Sequence, residues 1–348
     1  MWEELKHSKK AVRRAGDFLI ADWDEFDLGD YLHHYYVLNN WRASHAYPIQ
    51  SMIAYFRNKA FCIDKNAVVV QRLKRTPSIL RKLEREDGMK LDRIEDIAGC
   101  RIVVANKKDV YAVRDEIISG RTRNTLHRER DYIKTPKISG YRGIHLIYQY
   151  NGAKTQYSKH KVELQIRSKV QHSWATAVEV VGAFTGQALK ASQGHEAWLN
   201  FFKSASIAFA DIEGRKLAKN TTTPERKELI KYIDRLNVFV RLRAFTVSTR
   251  HLSQDSSNKN DYFLLILEID KSNIQVRRFP AHSLDSASKE YARCETEFKD
   301  NDKKDVVLVA ASSIHNLKKA YPNYFADTTE FTKNLERIVE ANKQLKRT

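Results

Sequence analysis

Along KVELQIRS (161–168) apolar and polar side chains alternate, Val162, Leu164 and Ile166 facing one way and Glu163, Gln165 and Arg167 the other. That period of two is the signature of a strand with one packed face and one open face. IAGCRIVVA (97–105) and GIHLIYQY (143–150) are denser apolar runs of strand length, with a helical pattern near 108–118 between them. Earlier, HHYYVLNNWR and YPIQSMIAYFRNKAF space apolar and aromatic residues by threes and fours, which predicts helices over the first sixty residues. Thr76 is placed to N-cap a further helix, with Pro77 at its first position, Ile79, Leu80 and Leu83 as its buried stripe and Gly88 as its stop.

Residues 169–240 read as mostly helical and end in the amphipathic PERKELIKYIDRLNVFVRL. The period then changes. RAFTVSTR, DYFLLILEID and NIQVRRF predict a small sheet interrupted by the polar turn SQDSSNKN, followed by a helix near 284–298, the strand DVVLVAA and a last helix near 329–343. The pattern predicts an α/β (α+β) fold, a mixed sheet flanked by helices with a smaller α+β unit at the C-terminal end. The expected organisation is a helical segment 1–60, a main domain 61–240 and a second unit 242–348. No internal repeat, heptad pattern or Gly-rich nucleotide loop is present.

Composition narrows the class. With 348 residues and 42% hydrophobic content the chain can bury a real core, and no apolar run approaches the roughly 20 residues that span a bilayer. Three widely spaced cysteines argue against both a disulfide framework and a cysteine zinc site, and the start MWEELKHSKK has no apolar leader, so a reducing cytoplasm is the expected location. The net charge of +18 is uneven: residues 1–50 carry 6 basic and 8 acidic side chains, residues 51–150 carry 22 and 12. Such a concentration suits a polyanionic partner, or simply a solubilising surface.

Three stretches place polar groups where a sheet would want core. Asp96, at the entrance of one strand, and Glu163, on another, form the kind of carboxylate pair that holds Mg²⁺ on a nucleoside triphosphate. In QRLKRTPSILRK, Arg72 and Lys74 point to one side of an extended lead-in, and Ser78 and Lys82 follow on one helix face, a possible phosphate cradle. RERDYIKTPKISGYRGIHLIY interleaves Arg128, Arg130, Lys134 and Lys137 with Tyr132 and Tyr141 around Pro136 and Gly140, and His145 points into the same space.

RxKxxxSIxxK (Arg72 to Lys82), DIxGxR (Asp96 to Arg101), RDYIxxPKxxGYxxIH (Arg130 to His145), ExQIR (Glu163 to Arg167) and HxWA (His172 to Ala175) together resemble the synthetase domain of the RelA/SpoT alarmone-synthetase family. The resemblance implies a nucleotidyltransferase-like synthetase fold and pyrophosphoryl transfer from ATP to a ribose 3′-hydroxyl. Mg²⁺ would sit on Asp96 and Glu163, with Glu163 also activating the hydroxyl. Arg72 matches the adenine-stacking arginine. Lys74, Ser78, Lys82, Arg101, Arg130, Lys137 and His145 match or neighbour the phosphate-contacting set. Tyr141 matches the tyrosine that stacks on the acceptor base, and Arg142, Gln165 and Arg167 fall on the acceptor side.

Only about seventy residues precede these blocks, too few for a His-Asp hydrolase module. The C-terminal unit resembles the antitoxin-like, pseudo-zinc-finger region of fused toxic small alarmone synthetases of the CapRel type. That likeness implies transfer to the 3′ CCA end of tRNA, arrest of translation during phage infection and release from self-inhibition by a phage capsid protein. Tyr321 and Tyr324 fit the YxxY motif said to block the ATP site. The rival expectations are a (p)ppGpp synthetase acting on GTP or GDP, and a non-catalytic RNA-binding sensor.

Overall fold

The computed structural model describes residues 2–21, 27–185, 196–214, 223–236, 238–239, 242, 261–268, 273–298, 301, 304–310 and 328–345. The expected strand RAFTVSTR and the pair Tyr321 and Tyr324 lie outside the described residues.

Three helices, α1 (Lys9–Leu19), α2 (Leu28–Ser44) and α3 (Ala46–Ile63), lead into β1 (Val68–Leu73) and α4 (Thr76–Arg85). Then come β2 (Ala98–Val104), α5 (Lys107–Ser119), β3 (Thr125–Asp131), β4 (Ile144–Gln149) and β5 (Lys161–Ser168). These five strands form a mixed sheet in the order β3-β4-β5-β2-β1, in which only the β2–β5 pair is parallel. The mixed α+β architecture expected from the pattern is what is found.

The sheet's two faces have separate tasks, as the alternation in β5 requires. Cys100 and Ile102 of β2, Leu146 and Tyr148 of β4, and Val162, Leu164 and Ile166 of β5 pack against α3 and α5 in one apolar core. The opposite face carries Arg101, His145, Glu163, Gln165 and Arg167, whose positions are fixed by the registers Arg101↔Gln165 and His145↔Gln165. A second core, with Val12, Leu38, Trp41, Ile79, Leu83 and Ile94, joins α1, α2 and α4 to that face's margin.

Helices α6 (Lys169–Thr185), α7 (Glu196–Gly214) and α8 (Pro224–Arg235) follow. Beyond them, β6 (Tyr262–Glu268), β7 (Asn273–Phe279), α9 (Leu284–Glu297) and β8 (Lys304–Ala310) agree with the pattern read from the sequence. These strands extend the first sheet to eight, in the order β1-β8-β6-β7, and among the described residues β1 and β8 pair at Gln71 with Ala310. The last described helix, α10 (Thr329–Leu345), returns to α6 and α7, where Phe331, Leu335 and Ile338 share a core with Trp174, Phe201, Phe202 and Phe209.

Two expectations need correction. Thr76 is the first helical residue, not the cap: Arg75 is the N-cap and makes no side-chain cap bond, while the Thr76 hydroxyl donates to Asn39 Oδ1 (3.0 Å). The RERD that opens the basic, aromatic stretch reads as loop from its composition, but TLHRERD forms edge strand β3, paired to β4 with an irregularity between Leu126 and Arg128. An edge strand has one solvated side and tolerates charge, so hydrophobic alternation does not announce it.

Candidate active site

The Lys74 amide donates to the Ile97 carbonyl (2.7 Å), which runs the end of β1 beside the turn that presents Asp96. Asp96 then takes Lys74 Nζ at 2.8 Å and Lys82 Nζ at 3.0 Å, one cation from the β1 extension and one from α4. Burial alone would raise the Asp96 pKa, but the two ammonium groups outweigh it and hold the carboxyl well below its ordinary range. Arg72 lies two residues before Lys74, opposite Gly99, on the same sheet face, and Ser78 sits in the first turn of α4.

Glu163, only 7% exposed, faces Asp96 from the neighbouring strand. Its Oε1 accepts from His145 Nδ1 (2.8 Å) and its Oε2 from Gln165 Nε2 (2.7 Å). Burial would raise its pKa, but the positive charge His145 can carry, the His145 hydrogen bond and the Gln165 hydrogen bond bring it below the ordinary value, while the charge on Asp96 opposes them. Burial likewise drives His145 down, against the pull of Glu163. A neutral His145 carries its proton on Nδ1 towards Glu163, so its Nε2 accepts from the Tyr141 hydroxyl at 2.6 Å. Arg167 Nε donates to the same hydroxyl (3.0 Å) and Arg167 Nη2 to Gln165 Oε1 (2.7 Å). The result is a closed ring of hydrogen bonds, Arg167–Tyr141–His145–Glu163–Gln165.

Tyr141 is therefore 7% exposed, its ring packed under Lys137 (5.3 Å) and against Arg167 (4.9 Å). In this state its hydroxyl serves the ring of hydrogen bonds, and little of its face is open to a base. Lys137 also lies 4.7 Å over Tyr132, and burial lowers its pKa. Arg101 is buried on the site face beside them. Arg142 is not brought to the cluster: it donates to Ser206 Oγ of α7 and to the Ile133 carbonyl.

Two structural residues, Glu95 and Asp131, have no role in the sequence reading, and a third, Gly140, appears there without its structural reason. Glu95, next to Asp96, gathers Arg130 (3.0 Å), Lys161 (3.2 Å) and Arg128 (3.5 Å), so the adjacent carboxylates divide the basic residues between them. Asp131 pins the tyrosine loop by accepting from the Ile133 and Lys134 amides and from the Tyr111 hydroxyl. Gly140 has φ +91°, and a Cβ there would meet Ser206 Cβ at 3.0 Å, so the loop's contact with α7 needs glycine twice over. The acidic doublet Glu95-Asp96 was visible in the sequence, but which cations each member takes is set by the fold.

Residues 71–181 match the family model described as a region found in RelA / SpoT proteins. The resemblance carried by the five motif blocks is thereby borne out. Within this RelA/SpoT region the chain is 37% identical over 111 residues to GTP pyrophosphokinase YjbM of Bacillus subtilis, covering 31% of this chain and 52% of that protein. It is 28% identical over 169 residues to a GTP pyrophosphokinase of Escherichia coli K12, covering 47% of this chain and 22% of that one. The chain thus spans about half or less of the length of these curated relatives. Among solved structures, the small alarmone synthetase 1 of Bacillus subtilis bound to its product pppGpp is 26% identical, with a TM-score of 0.42, over 50% of this chain and 93% of the other.

The electrostatics of the RelA/SpoT region give one direct expectation. A carboxyl with a depressed folded pKa adds stability above its unfolded value of about 3.9, and that stability is lost as the pH falls through the folded value. Wild type should lose stability steeply from about pH 4 downward. Asp96→Asn should show a shallower acid limb, read from urea midpoints between pH 3 and 7; equal slopes would contradict the lysine clamp.

Proposed function

We propose that the RelA/SpoT region transfers the pyrophosphoryl group of ATP to a ribose 3′-hydroxyl. The observation that carries this reading is the pair Asp96, in the turn entering β2, and Glu163 on the adjoining strand β5, which feels the Asp96 charge, inside a rim of lysines and arginines. Like charges held together are relieved by a divalent cation, and oxygen donors of this kind suit Mg²⁺. Among the described residues no group of three or more metal-binding side chains occurs, so phosphate oxygens and water would complete the shell. The metal, when bound with ATP, neutralises charge building on the bridging phosphate oxygen.

Lys74 and Lys82, now on Asp96, would turn to the phosphates, joined by Arg72, Ser78, Arg101, Arg130 and Lys137. The O3′–Pβ bond forms as the Pβ–O bond to AMP breaks, and Glu163 takes the hydroxyl proton. His145 and Gln165 fix the Glu163 carboxylate for that task, and Tyr141 and Arg167 fix His145.

For the acceptor, the surplus of basic residues over 51–150, and the exposed Lys134 and Ile138 at the tip of the loop before Tyr141, support a large polyanion, the 3′ CCA end of tRNA. The names of the relatives favour a guanosine nucleotide as the second reading. The C-terminal part would restrain the enzyme: Arg42 Nη2 donates to the Tyr291 hydroxyl (2.9 Å), and Glu295 Oε1 accepts from the Thr76 amide (3.3 Å), placing a carboxylate at the α4 N-terminus where a phosphate would bind. The pair Tyr321 and Tyr324 would act in the same restraint. A phage protein, the capsid protein in particular, would lift it during infection and so stop translation.

Incubation with ATP labelled on its β and γ phosphates, tRNA and GTP separates the readings. Label on tRNA is the expected result; label on the guanosine nucleotide alone would exclude the tRNA reading, and no transfer with Glu295→Gln as well as wild type would exclude the enzyme. Glu295→Gln should transfer faster than wild type.

A further inference from the structure

A polar cavity lies on the same face of the sheet as Glu163, beside the candidate site. It holds about 210 Å³ and is walled by Lys9 of α1, Trp41 of α2, the Asp92–Ile94 segment and the near ends of β4 and β5, with Lys159 and Lys161. Lys161 lies two residues before Glu163 on β5, and Arg93 lies three before Asp96, so the cavity borders the site without sharing its residues.

Its charge is one-sided. Lys9, Arg93, Lys159 and Lys161 all line it; Lys161 is paired with Glu95 (3.2 Å), and Asp92, the carboxylate in its wall, is answered by Arg13 Nε at 2.8 Å, which leaves Lys9, Arg93 and Lys159 as the surplus. Two further observations single the place out. Lys159 is the sole non-glycine residue with positive φ among those described, at +67°, a backbone state that L residues enter at a cost. The turn that holds it is fixed by the Lys159 amide on the Tyr150 carbonyl (2.9 Å), and it delivers a cation to the cavity. Trp41, 3% exposed, lines the wall, and its indole N–H is a buried donor without a hydrogen-bond partner.

We infer that this cavity binds the phosphate groups of a small anion, a pyrophosphoryl group either free or as the tail of a nucleotide. Its volume is below the roughly 300–1,000 Å³ of sites that enclose whole ligands, so a nucleoside attached to that tail would remain outside. Clustered cations and an N–H donor match phosphate oxygens, whereas a neutral or cationic ligand would leave Lys9, Arg93 and Lys159 unanswered, Lys161 being held by Glu95 at 3.2 Å.

The test is binding, so it stands apart from whether the chain transfers pyrophosphate. Inorganic pyrophosphate and ADP are titrated calorimetrically into Lys74→Ala/Lys82→Ala protein without divalent metal, a background that removes the cations at Asp96. Pyrophosphate is expected to bind, and adding Arg93→Ala with Lys159→Gly should weaken it at least tenfold. Lys159→Gly alone should also weaken binding while keeping or raising Tm, because glycine accepts the left-handed backbone. Tighter binding of ADP than of pyrophosphate would assign the site to a nucleotide tail, and the reverse to the free anion. Absence of binding by both probes, or binding unchanged by the Arg93 and Lys159 substitutions, would overturn the inference.

Discussion

Glu163→Gln is expected to lower the transfer rate by about 10³-fold or more, some 4 kcal/mol of transition-state stabilisation, with little change in fold. The substitution keeps the shape of a side chain that is 7% exposed, and an amide oxygen can still accept from His145 Nδ1. What disappears is the charge that, in the proposed reaction, would hold the metal and take the hydroxyl proton. The hydrogen bond with Gln165 survives if the Gln165 amide reverses, although its other end then faces Arg167 with a donor. Initial rates with labelled ATP, alongside thermal unfolding, check the result. A variant that keeps more than a tenth of the wild-type rate would remove Glu163 from the chemistry.

The second large effect falls on stability, far from the reacting groups. Phe331 on α10 is 1% exposed, with its ring 5.2 Å from Phe209 and 5.9 Å from Phe202. Phe331→Ala should cost about 3–5 kcal/mol, the transfer loss plus the cavity left among these rings. Tm is expected to fall by roughly 5–10 °C. Because Tyr141 and Trp174 belong to the same core, catalytic competence should decline at temperatures below the global unfolding step. A Tm within about 1 °C of wild type would mean that α10 does not seal this core.

The sheet was legible because β2 and β4 are dense apolar runs of strand length and β5 alternates cleanly, and that alternation separates Glu163, Gln165 and Arg167 from Val162, Leu164 and Ile166. The pairing of Asp96 with Glu163 followed from motif order, since parallel neighbours put the entrance of β2 beside β5. What the sequence concealed was tertiary. Nothing local tells that the Tyr141 hydroxyl is spent on His145 and Arg167, or that Arg142 turns to α7. Thr76 has the composition of a cap, but a residue 37 positions earlier, Asn39, takes its hydroxyl. The polar pattern of α10 gave its helix but not its neighbours, which lie more than a hundred residues away in the chain.

The junction between Gln71 and Ala310 bears on solubility. A five-stranded sheet ending at β1 would present that strand's outer backbone groups to any passing chain, and the run Val68-Val69-Val70 is the sort of segment that recruits one. β8 lies against that edge and, among the described residues, pairs with it at Gln71. The strands that follow the RelA/SpoT region thus border the edge carrying Arg72, and a chain shortened before β6 is expected to leave that edge open to self-association.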